Sequence, residues 1–145
     1  MGTAHAAGAK LNATERALVS AMNDARRAHG LRGLRVNRRL SRAADAHCAD
    51  MLRANFFAHT SSNGTSMPAR VMRYRRSKRV GETIAYLPRS NRRRARRVVN
   101  MWMRSPGHRA AILSTSFRRV GVARRTGRLG SSRAAVFTAN FASRR

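Results

Sequence analysis

Apolar residues recur at helical spacing in three long stretches. Leu18, Ala21, Met22, Ala25 and His29 predict a first helix. Asn12 with Glu15 three residues later is a capping-box variant that starts it, and Gly30 ends it. Arg16, Asn23, Arg26 and Arg27 fall mostly off the apolar face. A second helix is expected from about Leu40 to Ala54, with Leu40, Ala43, Ala44, His47, Met51 and Ala54 on one side. His47 and Cys48 there read as core. The third begins at Ser90 or Asn91, and Ala95, Val98, Val99, Trp102 and Met103 form its stripe. Met67 to Tyr74 reads as a short helix with Pro68 near its start. Period-two alternation marks three strands, Val80–Tyr86, Phe117–Arg124 and Ala134–Ala142. The last two make an antiparallel hairpin around a turn region at Thr126–Ser132.

Composition changes this picture in one respect. The 145 residues are 42% hydrophobic, enough for one domain with its own core. Residues 1–11 read as a flexible lead and 12–145 as that single domain. One cysteine excludes an intrachain disulfide and a cysteine-based zinc site. Charge is the departure: 32 Lys plus Arg stand against 5 Asp plus Glu, a net +27. Such a surface attracts polyanions and says nothing about fold. Dedicated recognition of nucleic acid is not favoured, because stacking aromatics are missing from the arginine runs except at Tyr74. No apolar run approaches the roughly 18–20 residues that span a bilayer. Residues 1–10 lack the apolar stretch of a secretory signal, although Thr3–Gly8 resembles the small-residue end of one.

Candidate chemistry gathers at three separated places. In Ser105-Pro106-Gly107-His108, the serine can cap a helix, proline suits the first helical position, and the histidine is fixed in the first turn. The helix dipole there favours a neutral imidazole. His59 follows Phe56 and Phe57 on a loop those aromatics pin. Glu82 shares a strand face with Ile84, so its carboxylate needs a partner.

Six ordered segments together resemble the CAP family, the domain of cysteine-rich secretory proteins, wasp-venom antigen 5 and group 1 plant pathogenesis-related proteins. They are Asn23-x-x-Arg26-x-x-x-Gly30-Leu31-x-x-Leu34, Leu40-x-x-x-Ala44-x-x-His47-x-x-Asp50-Met51, Phe57-x-His59-Thr60, Gly81-Glu82-x-Ile84-Ala85, Trp102-x-x-Ser105-Pro106-Gly107-His108-Arg109-x-x-Ile112-Leu113, and Gly121-Val122 with Asn140-Phe141-Ala142. The likeness is to the secreted bacterial branch. It implies an α+β fold, a three-layer α-β-α sandwich with a small antiparallel sheet between helices. It also implies a cleft in which His59 and His108 match two histidines and Glu82 the first of two acids. Ser105 stands where eukaryotic members carry the second acid.

The implied function is a secreted or cell-envelope binding module, whose cleft of His59, Glu82, Ser105 and His108 takes an anionic envelope polymer, a lipid or a small ligand. No residue is assigned a catalytic role. His59, Glu82 and His108 also form a candidate divalent-metal set, with zinc the first choice. Two alternatives stand beside this: a metal-dependent hydrolase of peptide or cell-wall material, and an arginine-rich polyanion binder.

Overall fold

A computed structural model describes residues 11–88 and 94–144. The elements run α1 (Ala13–Ala28), β1 (Arg35–Val36), α2 (Arg38–Ala54), α3 (Met67–Tyr74), β2 (Val80–Pro88), α4 (Arg94–Arg104), α5 (Pro106–Ile112), β3 (Arg119–Leu129) and β4 (Ser132–Ala142). The sheet order is β1-β3-β4-β2. β2, β3 and β4 are antiparallel, and the two-residue β1 adds a parallel edge beside β3.

Alternation along the strands divides the sheet's faces. Phe137, Ala139 and Phe141 of β4 join Val120 and Val122 of β3 in a core with Leu18 and Met22 of α1, Val98 and Trp102 of α4, and Ile112 of α5. On the other face, Val136, Ala123 and Ile84 meet Ala44, Cys48 and Met51 of α2. Helices therefore cover both faces, and the α-β-α sandwich is present.

Local chemistry sets the element ends. Asn12 and Glu15 form the expected capping box. Asn37 caps α2 two residues earlier than the apolar pattern suggests, by accepting from the backbone N–H groups of Arg39 and Leu40. Ala54, expected on the core face, is exposed because it ends the helix. The start expected for α4 at Ser90 or Asn91 lies outside the described residues. β3 and β4 run through most of the region expected as a turn. They close on Leu129 and Ser132, with Gly130 at φ 63° in the first central position.

Two features were hidden in the pattern. Gly121 lets α2 lie directly on β3: a Cβ there would stand 2.0 Å from the Ser41 nitrogen. Arg26, expected on the polar face of α1, is fully buried. Its guanidinium donates to the carbonyls of Arg32, Ile112, Ser114 and Phe117 at 2.7, 2.8, 2.9 and 3.3 Å. Five donors in a fixed fork can satisfy several loop carbonyls at once, which an apolar side chain cannot.

Candidate functional site

β2 is an edge strand, so elements from both layers can reach its rim. Trp102 of α4 donates its indole N–H to the Ile84 carbonyl at 2.9 Å. That bond satisfies an edge carbonyl and fixes the helix end from which α5 and His108 follow.

Glu82 is the hub. Its side chain is wholly buried, and Asn140 stands opposite it in the β2–β4 register. Oε2 accepts from Asn140 Nδ2 and pairs with Arg70 Nη2, both at 2.8 Å. Oε1 accepts from His59 Nδ1 at 2.9 Å. Burial pushes this carboxyl up. The His59 hydrogen bond, the Arg70 charge, His47 and Asn140 outweigh that and hold it below the usual range.

The same shell places the His59 loop. Arg70 Nη2 also donates to the His59 carbonyl at 2.9 Å. His47 Nε2 bonds the preceding carbonyl, that of Ala58, at 2.8 Å. A carbonyl only accepts, so His47 carries its proton on Nε2, and its buried Nδ1 has no hydrogen-bond partner among the described residues. Burial lowers the His47 pKa despite Glu82, keeping the ring neutral. At 3.8 Å from Glu82 it is beyond hydrogen-bond reach. Further along the loop, Asp50 accepts from the Ser62 N–H and hydroxyl at 2.9 and 2.6 Å. That gives this acid a clasping role the sequence left open.

His59 and His108 thus meet at the rim, with ring centroids 6.1 Å apart and planes tilted by 56°. A carboxylate only accepts, so His59 donates from Nδ1 and leaves Nε2 as its outward nitrogen on a side chain that is 48% exposed. His108 is held below its ordinary pKa by burial and then by His59. The direction matches expectation, but the cause is desolvation. Ser105 occupies the N-cap position of α5 without the expected side-chain bond. Pro106 has no N–H to satisfy, and the next residue, Gly107, is exposed to water. Phe57 and Tyr86, both substantially exposed, pack edge to face at 4.9 Å; Tyr86 shares its strand face with Glu82.

His59, Glu82 and His108 therefore converge, with Glu82 Oε1 bonded to His59 Nδ1 and the two imidazoles facing one another at the rim. Among the described residues no three His, Cys, Asp or Glu side chains stand in an arrangement that could hold a metal ion. Beside Glu82, a cation would meet the Arg70 guanidinium. Its buried Nε and Nη1, unpartnered among the described residues, suit water or an anion. Sequence reasoning missed Arg70 and the role of Asn140. Asn140 was readable as a polar residue on the Val136–Thr138 face, whereas Arg70 lay within a generally basic stretch. Cys48 is no nucleophile: burial pushes its thiol up to about 12.

The family model described as the cysteine-rich secretory protein family matches residues 19–141, and the chain belongs to that family. It is 33% identical over 121 residues to the uncharacterised protein YkwD of Bacillus subtilis, covering 83% of this chain and 46% of YkwD. It is 30% identical over 110 residues to the uncharacterised membrane protein YlbC of the same organism, covering 75% of this chain and 31% of YlbC. The chain thus spans less than half the length of these relatives. Among solved structures, an outer surface protein of Borrelia burgdorferi superposes with a TM-score of 0.77 at 23% identity, covering 95% of this chain and 99% of that one. An extracellular SCP-domain protein of Bacillus anthracis gives 0.72 at 22% identity, covering 94% and 45%. These likenesses carry the fold. No helix among the described residues is long and apolar enough to cross a membrane.

Proposed function

We propose that this domain works outside the cytoplasm as a non-enzymatic, metal-free binding module, with the His59–His108 rim recognising a polar component of the cell envelope. The observation that carries this reading is the state of Glu82. Its carboxylate is out of solvent and committed to His59, Arg70 and Asn140, so it is badly placed to activate water as a general base. It acts instead as the post on which His59 is mounted. The two imidazoles then offer hydrogen-bonding nitrogens, and Phe57 with Tyr86 offers an apolar wall. Polar groups beside an aromatic surface suit recognition of an amphipathic ligand. The extracellular and outer-surface descriptions of the structural relatives agree with such a location.

The test is titration calorimetry of the purified chain with soluble peptidoglycan fragments and with anionic phospholipid vesicles. Wild type is compared with His59→Ala/His108→Ala after thermal melts confirm folding. Binding heat with one probe is expected in the wild type and lost in the double variant, with the probe recovered chemically intact. Accumulating cleavage product would overturn the non-enzymatic reading. Stoichiometric zinc binding that the double variant abolishes would overturn the metal-free one.

A further inference from the structure

Away from the rim, α3 presents a second face. Arg70 and Val71 point inward, whereas Ala69, Met72 and Arg73 line an open hollow of about 1090 Å³. Arg39 from the start of α2 and Arg76 and Lys78 from the segment after α3 complete its basic wall, and Tyr74 with Met72 gives it apolar surface. Spacing of three and four residues puts Ala69, Met72 and Arg73 along one side of α3, and the chain turns extended at Arg75 before reaching Arg76 and Lys78.

The acids of this chain are committed elsewhere. Of the five, Glu15 caps α1, Asp24 pairs with Arg27, Asp45 with Arg125, Asp50 with Arg53, and Glu82 with Arg70. Four cations therefore share one hollow, and no Asp or Glu side chain is among the residues that line it. A run of arginines on a convex helix is ordinary solvated surface. A basic surface assembled from two helices and a connector presents several cations to one extended ligand at once. The hollow is broad and open to water rather than enclosed. Both features suit a length of chain better than a single ion.

We propose that this hollow is a binding site for a linear polyanion bearing repeated phosphate groups, with Arg39, Arg73, Arg76 and Lys78 contacting successive phosphates. Guanidinium groups, which dominate here, bind phosphate oxygens in a bidentate fork. Tyr74 supplies surface for the uncharged part of a repeating unit. The site is independent of the His59–His108 rim.

Fluorescence anisotropy with labelled inorganic polyphosphate tests this across a salt series. Arg73→Gln/Arg76→Gln should weaken binding tenfold or more at about 50 mM salt. It should also flatten the slope of log affinity against log salt by about 1.4, since each contact to a single strand contributes about 0.7. Arg39→Gln, on a different element, should weaken binding in the same sense. Arg96→Gln/Arg97→Gln on α4 removes the same charge elsewhere and should change affinity less than threefold. His59→Ala/His108→Ala should bind as wild type. Competition by poly(glycerol phosphate) at equal phosphate would place the natural source among phosphodiester polymers, and its failure among condensed phosphates; either result upholds the site. Equal losses in the two arginine pairs would mean diffuse attraction and overturn the proposal. So would orthophosphate competing as well as the polymer.

Discussion

Replacing Glu82 with Gln removes one charge and almost no volume, so its cost isolates the electrostatics of the hub. The Arg70 side chain is 10% exposed and that of Glu82 is 0% exposed. Neutralising one partner of a buried ion pair leaves the other charge uncompensated, at a cost of about 3–5 kcal/mol. Glutamine's carbonyl can still accept from Arg70 and Asn140, and His59 can turn to accept from the amide. The slight exposure of Arg70 lets water help as well. These compensations place the expected loss near the low end, about 3 kcal/mol. Against a typical total of about 5–15 kcal/mol that is a large fraction. Urea denaturation at pH 7 should show a lower midpoint with an unchanged slope. Arg70→Met supplies the second arm. If the pair is what Glu82→Gln breaks, the double variant should be more stable than the summed single losses imply, by about 1–3 kcal/mol. Wild-type stability within about 0.5 kcal/mol, or strict additivity with Arg70→Met, would refute the reasoning. Either result would return Glu82 to the list of groups free to meet a ligand or activate water.

Three further outcomes follow from the same contacts. Stability should fall as pH drops below about 6.5, because the lowered pKa values of His47 and His108 make the unfolded chain bind protons first; the depressed Glu82 adds a further loss below about 4.5. Circular-dichroism melts from about pH 3 to about pH 8 check this, and a flat profile between neutral and mildly acidic pH would contradict the histidine assignment. Gly121→Ala should prevent stable folding, since its Cβ would overlap backbone atoms of Leu40 and Ser41 that cannot rotate away; soluble yield and the far-ultraviolet spectrum report it. Arg26→Met should cost about 2–6 kcal/mol in denaturant melts, as the buried bonds to the Ile112 and Phe117 carbonyls are lost at about 1–3 kcal/mol each, whereas exposed Arg27→Met should stay within about 0.5 kcal/mol.

Much of the architecture was legible along the chain because it is written in local periodicity. Burial of Leu18 and Met22, the stripe from Ala95 to Trp102, and the alternation of Phe137, Ala139 and Phe141 each follow from a repeat that matches one element's geometry. The capping box at Asn12 is equally local. Motif order supplied His59, Glu82 and His108, and the fold brings them together.

Only the tertiary structure decided what those residues are for. Arg26 and Arg70 are two arginines among thirty, and nothing in their immediate neighbours separates them from solvated ones. They are buried because distant carbonyls and one distant carboxylate converge on them. Asn140 meets Glu82 through strand register, and Arg39 joins Arg73 and Arg76 through the packing of α2 beside α3. Periodicity records which side of an element faces inward. It carries no information about which polar group waits there, and that partner determines whether a charge is scaffold, ligand contact or bare surface.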